Sequence, residues 1–107
     1  MTLLDLLKNA GVENVKEGEF EHEVEPPYIC YLESNPKTIS ADGQVVYKQE
    51  NYAVELYVEK SDKEKVCKDI ENVFAEHKIT YEKAIVWIGS DQQLYEVIYI
   101  IPKKEEY

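Results

Sequence analysis

The pattern of apolar and polar positions predicts two helices separated by strands. Residues 2–10 form a short first helix that Thr2 caps, and its apolar face consists of Leu3, Leu4 and Leu7. The second helix spans residues 61–78, where Ser61 and Glu64 have the spacing of a capping box. Its apolar stripe consists of Val66, Ile70, Val73, Phe74 and His77, with Cys67 beside it.

The remaining apolar segments have the pattern of β-strands. They are residues 28–33, 44–48, 52–59, 80–89 and 93–102. Residues 35–43 are predicted to form a loop, and the last two strands are predicted to pair antiparallel across a turn at 89–91. The polar residues 49–51 favour a hairpin turn before residue 52, while a single bent strand over residues 43–58 remains the alternative.

This order of elements predicts an α+β domain with two layers. A mainly antiparallel sheet of four to five strands is expected to have the long helix, about residues 61–78, across one face, together with the short N-terminal helix. Residues 1–107 are expected to be a single domain, with an extended acidic arm at 12–27 and a frayed tail at 103–107.

The second face of the predicted sheet is the main candidate for a functional surface. One helix covers only one face, and a face that contacts water should be polar. The residues assigned to this face are instead aromatic: Tyr31, Tyr57, Trp87, Tyr95 and Tyr99. Because Tyr and Trp are enriched in protein interfaces, we predict that this face is buried in an assembly. The alternative is a monomer in which the N-terminal helix and the arm cover it.

Negative charge is concentrated in the arm. The chain has 22 acidic residues against 12 lysines and no arginine, which gives a net charge of −10. Glutamate occupies every odd position from 17 to 25, so that one face of the arm is acidic: Glu17, Glu19, Glu21, Glu23 and Glu25. Sequence-specific binding of nucleic acid is therefore not expected. A membrane partner is not expected either, because no apolar run approaches about 20 residues.

Groups that could support catalysis or metal binding are few. His22 with Glu19, Glu21 and Glu23 suggests a cation site, but adjacent strand residues point to opposite faces, so a solvated acidic surface is favoured. Cys67 and His77 lie about 15 Å apart along one helix, too far for a nucleophile and its base. We therefore predict no enzyme activity, no cofactor and no metal.

Two further pairs of residues do not favour a catalytic site or a disulfide either. Glu76 and Lys78 have the spacing of some metal nucleases, but the predicted structure there is the end of a helix instead of a strand. Cys30 and Cys67 lie among apolar neighbours, which favours reduced, buried thiols over a disulfide.

Three stretches resemble small proteins encoded in the capsid-to-tail segment of siphophages and prophages of Gram-positive bacteria. The first begins with TLLDLLKNAGV and continues through the arm to PPYICYLES. The second, ISADGQVVYKQENYAVELYVEKSDKEKVCKDIENVF, joins an NYAVELY strand to the capped helix, and the third is the final hairpin, IVWIGSDQQLYEVIYII. Together they span most of residues 2–101, and the likeness is one of element order and strand composition.

The resemblance implies a virion structural protein of the tail-completion, tail-terminator or head–tail joining type. Such subunits have α+β folds and assemble, often as hexameric rings, at the end of the tail tube. Their expected partners are copies of themselves and other phage tail or head proteins, first in the host cytoplasm and then in the virion. The residues leave open a small acidic inhibitor or DNA mimic that binds a basic partner, and a metal-dependent enzyme is the least favoured hypothesis.

Overall fold

The computed structural model describes the backbone of residues 1–41, 44–89, 91 and 93–107. It describes the side chains of the same residues, except for those of residues 35–49. The elements in chain order are α1 (Leu3–Asn9), β1 (Asn14–Glu17), β2 (Tyr28–Ala41), β3 (Gln44–Glu59), α2 (Lys63–Glu76), β4 (Glu82–Gly89) and β5 (Leu94–Pro102). The strands form one sheet in the order β1-β2-β3-β5-β4, in which β1 is parallel to β2 and the other pairs are antiparallel. The chain therefore has the α+β fold that the sequence predicts.

The first helix begins and ends as the sequence indicates. The backbone N–H of Asp5 donates a 3.2 Å hydrogen bond to the Thr2 hydroxyl, so Thr2 is the N-cap. The chain leaves the helix at Gly11, whose φ of 95° is in the left-handed region that glycine adopts without strain.

The second helix begins later than its predicted capping box. Its N-cap is Asp62, and no side chain caps it by a hydrogen bond. The N–H of Asp62 bonds to the Glu59 carbonyl at 3.0 Å, so Ser61 lies in a turn before the helix and the prediction that Ser61 caps it is wrong. At the other end Lys78 has a φ of 55°, and the Ile79 N–H reaches the Phe74 carbonyl at 2.8 Å, which is a Schellman ending.

Strands β2 and β3 form a hairpin that continues beyond the rest of the sheet. They pair from Tyr28 opposite Tyr57 to Ala41 opposite Gln44, whereas β5 follows β3 only as far as Asn51. The predicted loop is therefore wrong for residues 35–41, and residues 42–43 lie outside the described part of the chain. The predicted turn at residues 49–51 is also wrong, because β3 continues through these residues as one strand. Both faces of a two-stranded ribbon can contact water, so polar residues do not interrupt the strand.

The core lies between one face of the sheet and both helices. The sheet contributes alternate residues of its three central strands: Ile29, Tyr31, Val54, Leu56, Val58, Val97, Tyr99 and Ile101. The helices contribute Leu3, Leu6 and Leu7 from α1 and Cys67, Ile70 and Phe74 from α2 to the same cluster. Because both helices pack on one face, α1 does not cover the second face as the monomer alternative required.

The arm and the tail differ from the extended arm and frayed end that the sequence predicts. Only residues 14–17 of the arm form a strand, and the following segment packs on the second face, where the Phe20 ring lies edge-on to Tyr28 at 5.7 Å. In the tail, Tyr107 packs against the core and donates its hydroxyl hydrogen to the Pro102 carbonyl at 2.7 Å. The tail is therefore anchored by its last aromatic side chain.

Candidate assembly interface

The edge strand β4 is apolar and exposed on both of its faces. It pairs with β5 on one side, and every side chain from Glu82 to Ile88 is exposed. Its large apolar residues are each about half exposed: Ile85 49%, Val86 43%, Trp87 53% and Ile88 47%. Strands that are apolar on both faces normally lie inside a sheet, and edge strands are normally short, charged or covered. β4 therefore has the composition of an interior strand at an edge position.

The register with β5 places the apolar residues of β4 on two surfaces. The opposed pairs are Ile85 with Val97 and Trp87 with Tyr95 on the helix side, and Ala84 with Ile98 and Val86 with Glu96 on the second face. Helix α2 lies over β5, where the Lys63 ammonium is 5.3 Å from the Tyr95 ring and Phe74 packs on Tyr99. β4 lies next to β5 at the edge of the sheet. Ile85 and Trp87 therefore continue the core face past the part of the sheet that α2 covers.

Trp87 is the largest exposed side chain on this strand, and it is held in position. Its ring packs against Tyr95 with 4.9 Å between centroids and 63° between planes. Tyr95 is in turn half-buried against the core. An aromatic side chain that is both exposed and supported from behind is typical of residues that dominate binding energy in interfaces.

A hydrogen-bonded cluster fixes the first residues of β4 on α2. The Glu71 carboxylate accepts bonds from the Lys83 ammonium at 2.7 Å, the Tyr99 hydroxyl at 2.7 Å and the Tyr81 hydroxyl at 3.1 Å. Burial opposes ionisation of Glu71, but the bonds from Lys83 and Tyr99 outweigh it and lower its pKa. Burial, with bonds to Cys67 and Glu71, raises the pKa of Tyr99. The charge of Lys83 is thereby compensated, and the strand beyond it, from Ala84 to Ile88, is uncharged.

The second face has a different character, with a cleft of about 550 Å³ under the arm. Phe20, Tyr28 and Tyr57 form aromatic walls, and glutamates of the arm lie at its rim. The Tyr57 hydroxyl donates to Glu96 at 2.9 Å, and burial together with this bond raises the pKa of Tyr57. Burial and two neighbouring carboxylates raise the pKa of Glu55. Within the described residues, no three His, Cys, Asp or Glu side chains are grouped so that they could hold a metal ion.

The predicted interface residues separate into four groups. Tyr31 and Tyr99 are buried beneath the helices, because both lie opposite Val54, whose side chain points into the core. The prediction that they line the second face is therefore wrong. Trp87 and Tyr95 also lie on the helix side, but near the exposed edge, and Tyr57 is on the second face. The arm glutamates are all exposed: Glu17, Glu19, Glu21, Glu23 and Glu25.

The exposed aliphatic residues of β4 were not among the predicted interface residues. Ile85, Val86 and Ile88 adjoin Trp87 in an unbroken apolar run, and the sequence does show that this strand is apolar on both sides. The apolar run does not show that this strand lies at an edge of the sheet, because its position depends on which strands pair.

The described part of the chain has no helix with the length and apolar character that crossing a membrane requires. No protein-family model matches the chain, and a comparison with curated proteins finds no match.

Proposed function

We propose that this chain is a structural subunit that acts by protein–protein assembly, of the phage tail-completion, tail-terminator or head–tail joining type. The observation that carries the proposal is the edge strand β4, with four consecutive large apolar residues that are each about half exposed. Contiguous apolar surface at an unpaired strand edge is the kind of surface that association buries. On this proposal the protein assembles in the host cytoplasm and then resides at the tail or the head–tail junction of the virion.

The charge of the molecule supports the same role. A subunit at the end of a tail has to let DNA pass without holding it. The net charge of −10, the lack of arginine and the exposed glutamates of the arm would repel a phosphate backbone. The apolar strand and the acidic arm therefore suit two different contacts, one with protein and one with DNA in transit.

Self-association is the first expected result. We expect the purified protein to sediment as an oligomer, and the oligomer to persist from about 0.1 M to 1 M sodium chloride, because salt screens charges but not apolar contacts. Sedimentation velocity measures the mass, and negative-stain electron microscopy shows whether rings form. A protein that stays monomeric at high concentration would contradict self-assembly. A gene neighbourhood without capsid and tail genes would contradict the virion class.

A small acidic module that binds a basic partner is the second candidate, and the five exposed glutamates of the arm favour it. The two proposed functions predict different effects on association when the negative charge of the arm is removed. If the chain is a structural subunit, changing Glu17, Glu19, Glu21, Glu23 and Glu25 together to glutamine leaves self-association equal or stronger, since less like charge is brought together. Weaker association of this variant in sedimentation at low salt would favour a contact made by the carboxylates instead.

A further inference from the structure

We propose that β4 pairs edge to edge, in antiparallel orientation, with β4 of a second copy of this chain. The inference rests on the proposed self-assembly and specifies the contact that produces it. An edge strand presents a row of backbone N–H and C=O groups that another strand can satisfy. The inner side of β4 is bonded to β5, so the outer side is the one available for this pairing.

The two outermost strands of the sheet, β1 and β4, differ in a way that favours β4 as its own partner. The opposite edge, β1, has 4 residues, and these include Lys16 and Glu17, as is typical of protected edges. Strand β4 has 8 residues, and its stretch from Ala84 to Ile88 carries no charge. A second β4 matches this strand in length and in polarity, whereas β1 of a neighbouring copy would leave half of it uncovered.

A twofold axis at Val86 brings apolar residues together on both faces. Ile85 of one copy then lies opposite Trp87 of the other on the helix side, and the two Val86 side chains meet on the second face. The register of β4 with β5 shifts between Trp87 and Gly89, so Ile88 lies outside this regular pairing. Charged residues fall at the ends of the paired segment. One of them, Lys83, already bonds to Glu71 at 2.7 Å, so the pairing does not bury an uncompensated ammonium.

The exposed area sets the strength of the contact. Four side chains that are about half exposed can bury roughly 400 Å² per copy, or roughly 800 Å² in the pair. Specific, stable interfaces usually bury about 1,200–2,000 Å² in total, so the β4 contact falls below this range and has the size of a weak, transient contact. We therefore expect a pair that dissociates at about micromolar concentration.

Disulfide trapping of Val86→Cys tests the register. Residues at the axis face each other with Cβ atoms about 5 Å apart, close to the separation that a disulfide needs. The matched control is Leu32→Cys, because Leu32 is 42% exposed in β2 of the same sheet and Val86 is 43% exposed. Both native cysteines are buried, so the parent protein measures the background. Under mild oxidation we expect a linked dimer to form about tenfold faster with Val86→Cys than with Leu32→Cys.

A second pair of variants separates this inference from the proposed function. Val86→Glu places two carboxylates opposite each other in the dimer, and we expect it to raise the dissociation constant at least about tenfold in sedimentation, while Leu32→Glu leaves it unchanged. Circular dichroism checks that both variants fold. If the parent self-associates but neither Val86 variant differs from its control, pairing through β4 is overturned and the proposed assembly has another contact. A monomeric parent at concentrations well above micromolar overturns both.

Discussion

Replacing Phe74 by alanine is expected to lower the free energy of unfolding by about 3–5 kcal/mol. Phe74 is completely buried in α2, and its ring packs edge-on to Tyr99 with 5.4 Å between centroids. It also lies 5.6 Å from the ring of Tyr81, the residue that precedes β4. Truncation removes these contacts and leaves a cavity between helix and sheet, since the hydrogen-bonded strands below cannot move in to fill it. Urea denaturation followed by circular dichroism measures the change.

The other phenylalanine provides a matched control. Phe20 also packs edge-on to a tyrosine, with 5.7 Å to the Tyr28 ring and 84° between planes, but it lies in the arm and is only half-buried. We expect Phe20→Ala to cost less than about 1 kcal/mol, because solvent already reaches part of the ring. Equal losses from the two variants would contradict a core that is confined to the helix side of the sheet.

Replacing Glu71 by glutamine is expected to destabilise the fold by about 2 kcal/mol, since bonds to charged groups are worth about 1.5–3 kcal/mol. The substitution keeps the shape of the side chain but removes the charge that Lys83 and Tyr99 bond to at 2.7 Å each. The lysine is then partly buried without its counter-ion. Asp69→Asn is the control on the same helix. Asp69 forms an exposed pair with Lys65 at 3.2 Å, and such pairs contribute about 0.5 kcal/mol or less. A comparable loss from both variants would contradict a special role for Glu71.

The Glu71 variant should also alter the dependence of stability on pH. The pKa of Glu71 is lower in the folded protein than its ordinary value of 4.5, so the unfolded chain takes up the proton first as the pH falls. Its contribution is complete above that ordinary value and is lost as the pH falls through the folded pKa. The stability difference between parent and Glu71→Gln should therefore be constant near neutral pH and shrink in acid. Urea titrations from about pH 7 to pH 3 test this, and a difference that stays unchanged in acid would contradict it.

Periodicity predicted both helices and the last two strands, because it depends on which side of each element meets water. It did not predict β1, the second half of β2 or the continuity of β3. Along β3, Val54, Leu56 and Val58 occupy alternate positions, and all three side chains are buried on the helix side of the sheet. Periodicity alone could not relate one strand to another. Tyr31 and Tyr99 were assigned to the second face, yet both align with Val54 and lie in the core. Tyr99 is tolerated there because its hydroxyl reaches Glu71, a contact between elements that are distant in sequence.

The position of the candidate interface could not be predicted for a related reason. That β4 is an edge strand follows from the pairing of β3 with β5, in which Glu59 aligns with Leu94 across the whole of α2. Such long-range pairing depends on the packing of the complete domain. The sequence does contain the apolar run and its Trp87, so the chemistry of the surface was predictable, while its location at an edge was not.

The strand order also has a consequence for how the chain folds during synthesis. It divides the sheet into two hairpins, β2–β3 and β4–β5, each formed by neighbours in sequence, and these are joined by the β3–β5 pairing. Local hairpins close quickly, whereas the junction has to bring together segments separated by α2. The β4–β5 hairpin is synthesised after β3 and α2, which are then already available to receive it. The hairpin can therefore dock on β3 through β5 as soon as it forms, while the apolar residues of β4 stay exposed in the completed domain.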